Sequence, residues 1–216
     1  FDDSVTVIIG KPEPTLTTGL VAYYPFNGNA NDESGNGRHG TLSGATLSAD
    51  RYVTANKAYS FDGVDDHINL GNSNLTGTFT VSGWLNLDTT EPNWAALYAA
   101  DGTGKPHEIW LGANTDGRVR LHVGAVANYV ETPTGTLTKD QWVHVLGSWD
   151  GTTAKLYING SAASASVNGT LENPDNTTAF IGKTIYNSID HVKGKIDDVR
   201  IYSRALSGAE VPQLYS

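Results

Sequence analysis

Two kinds of side chain in this sequence could do chemistry: carboxylates spread along the chain, and aromatic rings set among turn signals. The six histidines form no His-Glu-x-x-His pair, and no Gly-x-Ser-x-Gly turn occurs. Neither a zinc-bound water nor an elbow serine therefore has its usual frame. With no cysteine, thiolate nucleophiles and thiolate zinc sites are excluded. Asp116-Gly117 marks a hairpin, and pairing residues whose numbers sum to 230 sets Ile109 against Leu121 and Trp110 against Arg120. The same register sets Glu108 against His122, where a cross-strand ion pair explains them more simply than acid–base catalysis.

The rings carry more. Proteins hold sugars by laying an aromatic plate on the apolar face of the pyranose and fixing its hydroxyls with planar polar side chains. Among the five tryptophans and ten tyrosines, Trp94 follows the loop signal Glu91-Pro-Asn93, an unfavourable place for a large ring without a task. Trp110 shares the outer side of its segment with Arg120, while Tyr98, His107 and Tyr129 lie in or beside loops. Trp94, Tyr98, His107, Trp110, Arg120 and Tyr129 are thus the candidate carbohydrate contacts.

The elements that must position them are strands. Phe79–Leu87 alternates Phe79, Val81, Gly83, Leu85 and Leu87 against Thr80, Ser82, Trp84 and Asn86, the period of a half-buried strand. Segments 142–149 and 154–158 flank Asp150-Gly151, and Asn159-Gly160 closes the next hairpin, pairs that suit type I′ turns. Helical spacing appears only after Ser207, where Ser207 and Glu210 form a capping box that Pro212 soon limits. Many short strands and one terminal helical turn predict an all-β sandwich or jelly roll. Residues 1–18 read as a preceding strand and a Pro-rich linker to a neighbouring module, and 19–216 as one domain.

Charge and composition narrow the partners. Fourteen basic against 23 acidic residues leave a net charge of −9, which excludes nucleic acid as an expected partner because phosphates are met by Lys and Arg. No apolar run approaches the ~18 residues of a membrane span, so membrane insertion is not expected. A Cys-free, acidic, Asn- and Thr-rich surface fits a bacterial extracellular or cell-surface protein.

Three segments resemble the laminin-G-like, concanavalin-A-like jelly-roll lectin domains of bacterial secreted proteins. They are Leu20-Val-Ala-Tyr-Tyr-Pro-Phe26 with the loop Asn31–Thr41, Tyr59-Ser-Phe-Asp-Gly63 with Phe79-Thr-Val-Ser-Gly-Trp84, and a distal set. The distal set comprises Trp142-Val-His-Val145, Trp149-Asp-Gly151, Leu156-Tyr-Ile-Asn-Gly160 and Ile196-Asp-Asp-Val-Arg-Ile-Tyr202. The resemblance implies two antiparallel sheets with the first and last strands side by side. It also implies a structural Ca²⁺ held by Asp32 and Asp197 or Asp198, with oxygens from near Asn36 and His39 and a further donor in Asp62. Strand alternation places Asp197 with Val199 and Ile201, pointing inward, and Asp198 with Arg200. Glucanases of this superfamily carry Glu-x-Asp-x-x-Glu on one strand, so that acid and base flank the glycosidic bond. None of the seven glutamates begins that motif, and a non-enzyme is expected.

The expectation is a calcium-stabilised lectin module of a large bacterial adhesin that binds host or microbial glycans. The alternatives are an accessory carbohydrate-binding module of a polysaccharide-degrading enzyme, and a spacer or protein-binding domain.

Overall fold

The computed structural model describes residues 15–73, 75–88, 94–102, 105–124, 129–168, 178–184 and 191–215. The expected preceding strand and most of the linker lie outside these residues. Residues 15–18 belong to the domain rather than to a linker. Thr18 closes a turn on Thr15, Arg204 Nε donates to the Thr18 carbonyl at 2.7 Å, and Leu16 packs against the C-terminal residues.

Two antiparallel sheets form a sandwich, as the alternating sequence requires. The first contains β1 (Leu20–Tyr24), β3 (Thr46–Ser48), β4 (Ala58–Asp62), β6 (Phe79–Leu87), β11 (Val143–Trp149), β12 (Thr153–Ile158), β13 (Ser161–Asn168) and β15 (Lys193–Tyr202). Its order is β13-β12-β11-β6-β15-β4-β3, with β1 also on β15. The second contains β2 (Thr41–Ser43), β5 (His67–Asn72), β7 (Ala95–Gly102), β8 (Lys105–Ala113), β9 (Val119–Val123), β10 (Tyr129–Glu131) and β14 (Thr178–Ile181). Its order is β10-β9-β8-β7-β14-β5-β2.

The expected side-by-side first and last strands are present, with Tyr23 opposite Arg200 and Tyr24 opposite Val199. One long edge of β15 serves two partners: residues 193–196 pair with β4 and residues 199–202 with β1. A bulge falls between them, and Asp198 takes φ 52° there. This bulge breaks the alternation read from the sequence. Asp197 lies opposite Trp84, away from the core, while Val199 and Ile201 enter it.

The core lies between the sheets. β6 contributes Phe79, Val81, Leu85 and Leu87, as its alternation predicts, and these meet Leu97, Ile109, Leu111 and Leu121 from the second sheet. The apolar side chains are fully buried, each worth about 1.5–3 kcal/mol relative to exposure. Asn159 (φ 49°) and Gly160 (φ 75°) supply the two positive φ angles of the expected I′ turn, with Ile158 opposite Ser161. Asp150 instead organises a wider loop, its Oδ1 accepting the N–H groups of Thr152 and Thr153.

The C-terminal helix α1 (Val211–Tyr215) begins with the capping box: the Ser207 N–H donates to Glu210 at 2.8 Å. Arg204 hydrogen-bonds the same carboxylate and, with burial opposing, holds its pKa down at about 2. Val211 and Leu214 pack with Leu146 and Tyr202 on the outer face of the first sheet. The helix covers part of that face, and the outer face of the second sheet is the broader surface to inspect for binding. Among the described residues no helix is long and apolar enough to cross a membrane.

Candidate functional site

Side chains on the outer face of β7 to β10 assemble around a row of small residues. Ala96 and Ala99 on β7 and Gly112 on β8 leave a shallow bed, and the Trp110 indole lies in it. A Cβ at Gly112 would collide with the Ala95 carbonyl and with the Trp110 ring itself, so only glycine admits this ring. Trp94 closes over Trp110 edge to face, centroids 5.5 Å apart. His122, opposite Trp110 on β9, meets it at 5.7 Å, and Tyr129 on β10 meets His122 at 5.4 Å.

Arg120 binds this group together. Its guanidinium carbon lies 4.2 Å from the Trp94 centroid and 4.0 Å from that of Tyr129, a cation between two rings. Glu131, directly opposite on β10, fixes the guanidinium by hydrogen bonds of 2.9 and 2.5 Å to Oε2. Its Oε1 takes Arg118 Nη1 at 2.9 Å, and Arg118 Nε in turn meets Asp116 at 2.8 Å. Burial would raise the Glu131 carboxyl pKa, but the two arginines hold it below the ordinary range. Four charged side chains therefore form one chain, Asp116–Arg118–Glu131–Arg120, that ends between two aromatic rings.

Of the six candidate carbohydrate contacts, the structure brings Trp94, Trp110, Arg120 and Tyr129 together. Trp110 is only 2% exposed, so it forms the floor under Trp94 rather than the contact surface. Tyr129 is 36% exposed and Trp94 half-buried; these two present the rings. Tyr98 is a correction: a bulge between Ala96 and Tyr98 swings its side chain into the core. The His107 side chain lies outside the described residues. The hairpin register is also corrected. Paired residues sum to 232, with Trp110 against His122 and Leu111 against Leu121. Asn114 widens the turn, its Oδ1 accepting the Asp116 N–H and its carbonyl the Gly117 N–H. A slip of two preserves the faces, so Trp110 and Arg120 stay outside as expected. His122 shares the outer face with Trp110 and Arg120, as the hairpin reading expects, though it was not counted among the sugar contacts; Glu131 was not foreseen.

The expected calcium ligands are placed differently. Asp32 Oδ1 accepts the N–H groups of Tyr23 and Ser34, and Oδ2 accepts that of Arg38. Burial raises its pKa and these hydrogen bonds, outweighing it, leave it lowered. His39 Nδ1 accepts the Asp32 N–H, and Asn36 donates its amide to the Leu20 and Val21 carbonyls. Asp197 and Asp198 face Arg51, at 2.8 and 3.5 Å, and Asp198 also meets Arg200 at 3.1 Å. Arginine guanidinium groups meet the Asp197 and Asp198 carboxylates, and both Asp32 oxygens hold backbone donors. This donor set does not fit a Ca²⁺ that needs six to eight oxygens. Asp62 belongs elsewhere, with Asp65 and Asp66, the one group of three metal-capable side chains among the described residues. Its Oδ1 caps the Val64 N–H, and Asp66 caps the N–H of Asp62.

Residues 62–212 match the family model described as the concanavalin A-like lectin/glucanases superfamily, and the chain belongs to that superfamily in its laminin-G-like branch. No curated protein matches the sequence. Among solved structures, the chain is similar to domain 4 of AbnA, an extracellular arabinanase of Geobacillus stearothermophilus, solved with arabinotriose. That match has 25% identity and a TM-score of 0.72, and covers 91% of this chain and 98% of that one. It is similar in fold to part of Trypanosoma rangeli sialidase (18% identity, TM-score 0.72), covering 94% of this chain and 33% of the sialidase. A third neighbour is the binding domain of Paraclostridial Mosquitocidal Protein 1 (18% identity, TM-score 0.72), with 93% and 52% covered. The chain thus spans a third to a half of the latter two.

Proposed function

We propose that this domain is a non-catalytic glycan-binding module, and that the outer face of β7 to β10 is its binding platform. The observation that carries the reading is the ring pair Trp94 and Tyr129, held rigid by Arg120 between them and backed by Trp110 and His122. Rings fixed before the ligand arrives lose little freedom on binding, which is what a weak, small ligand requires. The arabinanase domain supports the same reading, since it is the neighbour solved with an oligosaccharide. A polar hollow of about 520 Å³ on the opposite sheet, lined by Asp62, Asn86, Asp88, Asp140 and Lys193, offers no exposed ring and is the poorer candidate.

Such a module serves equally in a bacterial surface adhesin and beside the catalytic domain of a secreted polysaccharide-degrading enzyme. The domains encoded next to it decide between these parents: tandem β-modules for the first, a hydrolase or lyase for the second.

The test is a glycan array followed by titration calorimetry. Trp94→Ala and Tyr129→Ala are each expected to weaken binding by ~1–3 kcal/mol, the range for aromatic hot spots, with the melting transition retained. Tyr52→Ala, which removes an exposed ring outside this platform, is expected to leave glycan binding unchanged. Full binding by the Trp94/Tyr129 double variant would move the site, and a blank array with folded protein would favour the spacer.

A further inference from the structure

The charged chain beside the rings selects among glycans. Arg120 is already engaged: its guanidinium carbon lies 4.2 Å from the Trp94 centroid and 4.0 Å from that of Tyr129, and its Nε and Nη2 each donate to Glu131. Only Nη1 makes no hydrogen bond among the described residues. A sugar carboxylate is best held by two parallel N–H groups of one guanidinium. Here the side-on pair, Nε with the adjacent Nη2 hydrogen, is taken by Glu131, and the end-on pair is left, so what opposes a carboxylate is charge. An incoming carboxylate would approach the Glu131 charge at close range, and like charges in one site repel. Removing Glu131 from Arg120 would also disturb Arg118, because its other oxygen holds Arg118 Nη1.

The four side chains Asp116, Arg118, Glu131 and Arg120 sum to zero formal charge, so no local excess of positive charge is left to attract an anion. The chain as a whole carries −9, and its long-range field opposes anionic ligands. A neutral hydroxyl has what the site can use. It accepts from Nη1 and gives its own proton to a carboxylate oxygen, while the apolar C–H face of the ring lies on Tyr129 or Trp94.

We infer that the platform takes neutral glycans, built of pentoses or hexoses without carboxylate or sulfate, and rejects sialylated and uronate-bearing ones. The inference rests on the glycan-binding proposal above.

The experiment compares two sets of oligosaccharides on the intact domain by calorimetry. One set is neutral arabino-, xylo- and gluco-oligosaccharides; the other is sialyl-lactose and oligogalacturonate. Each is measured at roughly 50 and 500 mM NaCl, conditions that change screening strongly. Neutral ligands are expected to bind with affinities that change by less than about twofold between the two salts, with acidic ones at least about tenfold weaker. Glu131→Gln is expected to narrow that gap by removing the carboxylate charge that an acidic ligand would meet beside Arg120. Tighter binding of the acidic set, falling with salt, would overturn the neutral-glycan inference and keep the glycan-binding proposal. Binding of neither set would overturn the proposal and the inference with it. The wild-type comparison decides the matter even where Glu131→Gln does not fold.

Discussion

Arg51→Ala is expected to destabilise the domain by about 3–5 kcal/mol, the cost of stripping one partner from a buried ion pair. Arg51 comes from the loop after β3 and reaches the β15 bulge, where its side chain and those of Asp197 and Asp198 are 14%, 4% and 11% exposed. Its guanidinium also lies 4.5 Å from the Tyr52 centroid and 4.6 Å from that of Trp84. The alanine variant leaves Asp198 with Arg200 but strands Asp197. At ~2–4 °C per kcal/mol for a chain of this size, the melting temperature should fall by roughly 10 °C. The deficit should depend on pH. Burial, then the neighbouring Asp198, push the Asp197 carboxyl up to about 7 even with Arg51 present. A carboxyl with a raised pKa contributes stability that is present at low pH and lost as pH rises through the folded value. Without Arg51 that value climbs further, so the variant should be closest to wild type near pH 5 and furthest from it near pH 8. Urea melts at both values check this. A loss below about 1 kcal/mol would place the pair among exposed ones, and a loss independent of pH would show that the Asp197 carboxylate is not the stranded group.

Where the sequence was legible, the reason was that period and burial agreed. β6 alternates without interruption, and every apolar position on its expected side enters the core. Asn159-Gly160 declared its turn because both residues tolerate positive φ. Bulges hid the rest. An extra residue in one strand reverses the face of everything beyond it, and neither the Ala96/Tyr98 bulge nor the one at Asp197 has a local residue signature. Asp197 was misplaced for this reason, and Tyr98, read as lying beside a loop, falls inside β7 with its ring in the core. Trp110 and Arg120 kept their outer face because the β8–β9 error was two residues, which leaves faces unchanged, while Trp94 and Tyr129 were chosen as rings beside loop signals. The Arg120–Glu131 pair that locks them joins two strands whose pairing register is not marked by an Asn-Gly or Asp-Gly turn signal in residues 124–128. No spacing rule connects those residues before the sheet order is known. The calcium expectation failed to find a donor set for a different reason. A carboxylate in a Gly-rich loop satisfies backbone N–H groups as readily as it binds a cation, and Asp32 does the former.

His144→Phe is expected to turn a nearly flat dependence of stability on pH between about 7 and 5 into a gain on acidification. His144 on β11 lies opposite Trp84, which has Asp197 on its other side. The imidazole packs against Trp84 at 5.4 Å and Tyr215 at 6.3 Å, so phenylalanine can keep the ring contacts while removing the proton site. Burial, with help from the positive charges of Arg200 and Arg51, depresses the His144 pKa to about 3. The unfolded chain takes up this proton near the ordinary histidine value and the folded one does not. Acidification below about 6.5 therefore costs stability at ~1.4 kcal/mol per pH unit, or about 2 kcal/mol by pH 5. Asp197 works in the opposite direction over the same window. Its carboxyl, raised to about 7, is protonated in the fold well before it is in the unfolded chain, so acidification adds stability at a similar rate. In the wild type the two contributions offset each other, and stability should be nearly flat from pH 7 to 5. With His144 replaced the Asp197 contribution is no longer offset, and the phenylalanine variant should gain about 2 kcal/mol over that range. Asp197→Asn should lose a similar amount, because it leaves His144 alone. Urea melts at pH 7, 6 and 5 on the three proteins measure the slopes directly. Parallel curves for wild type and His144→Phe would show that the imidazole is charged in the fold, and the packing of His144 between Trp84 and Tyr215 would then need a counter-charge.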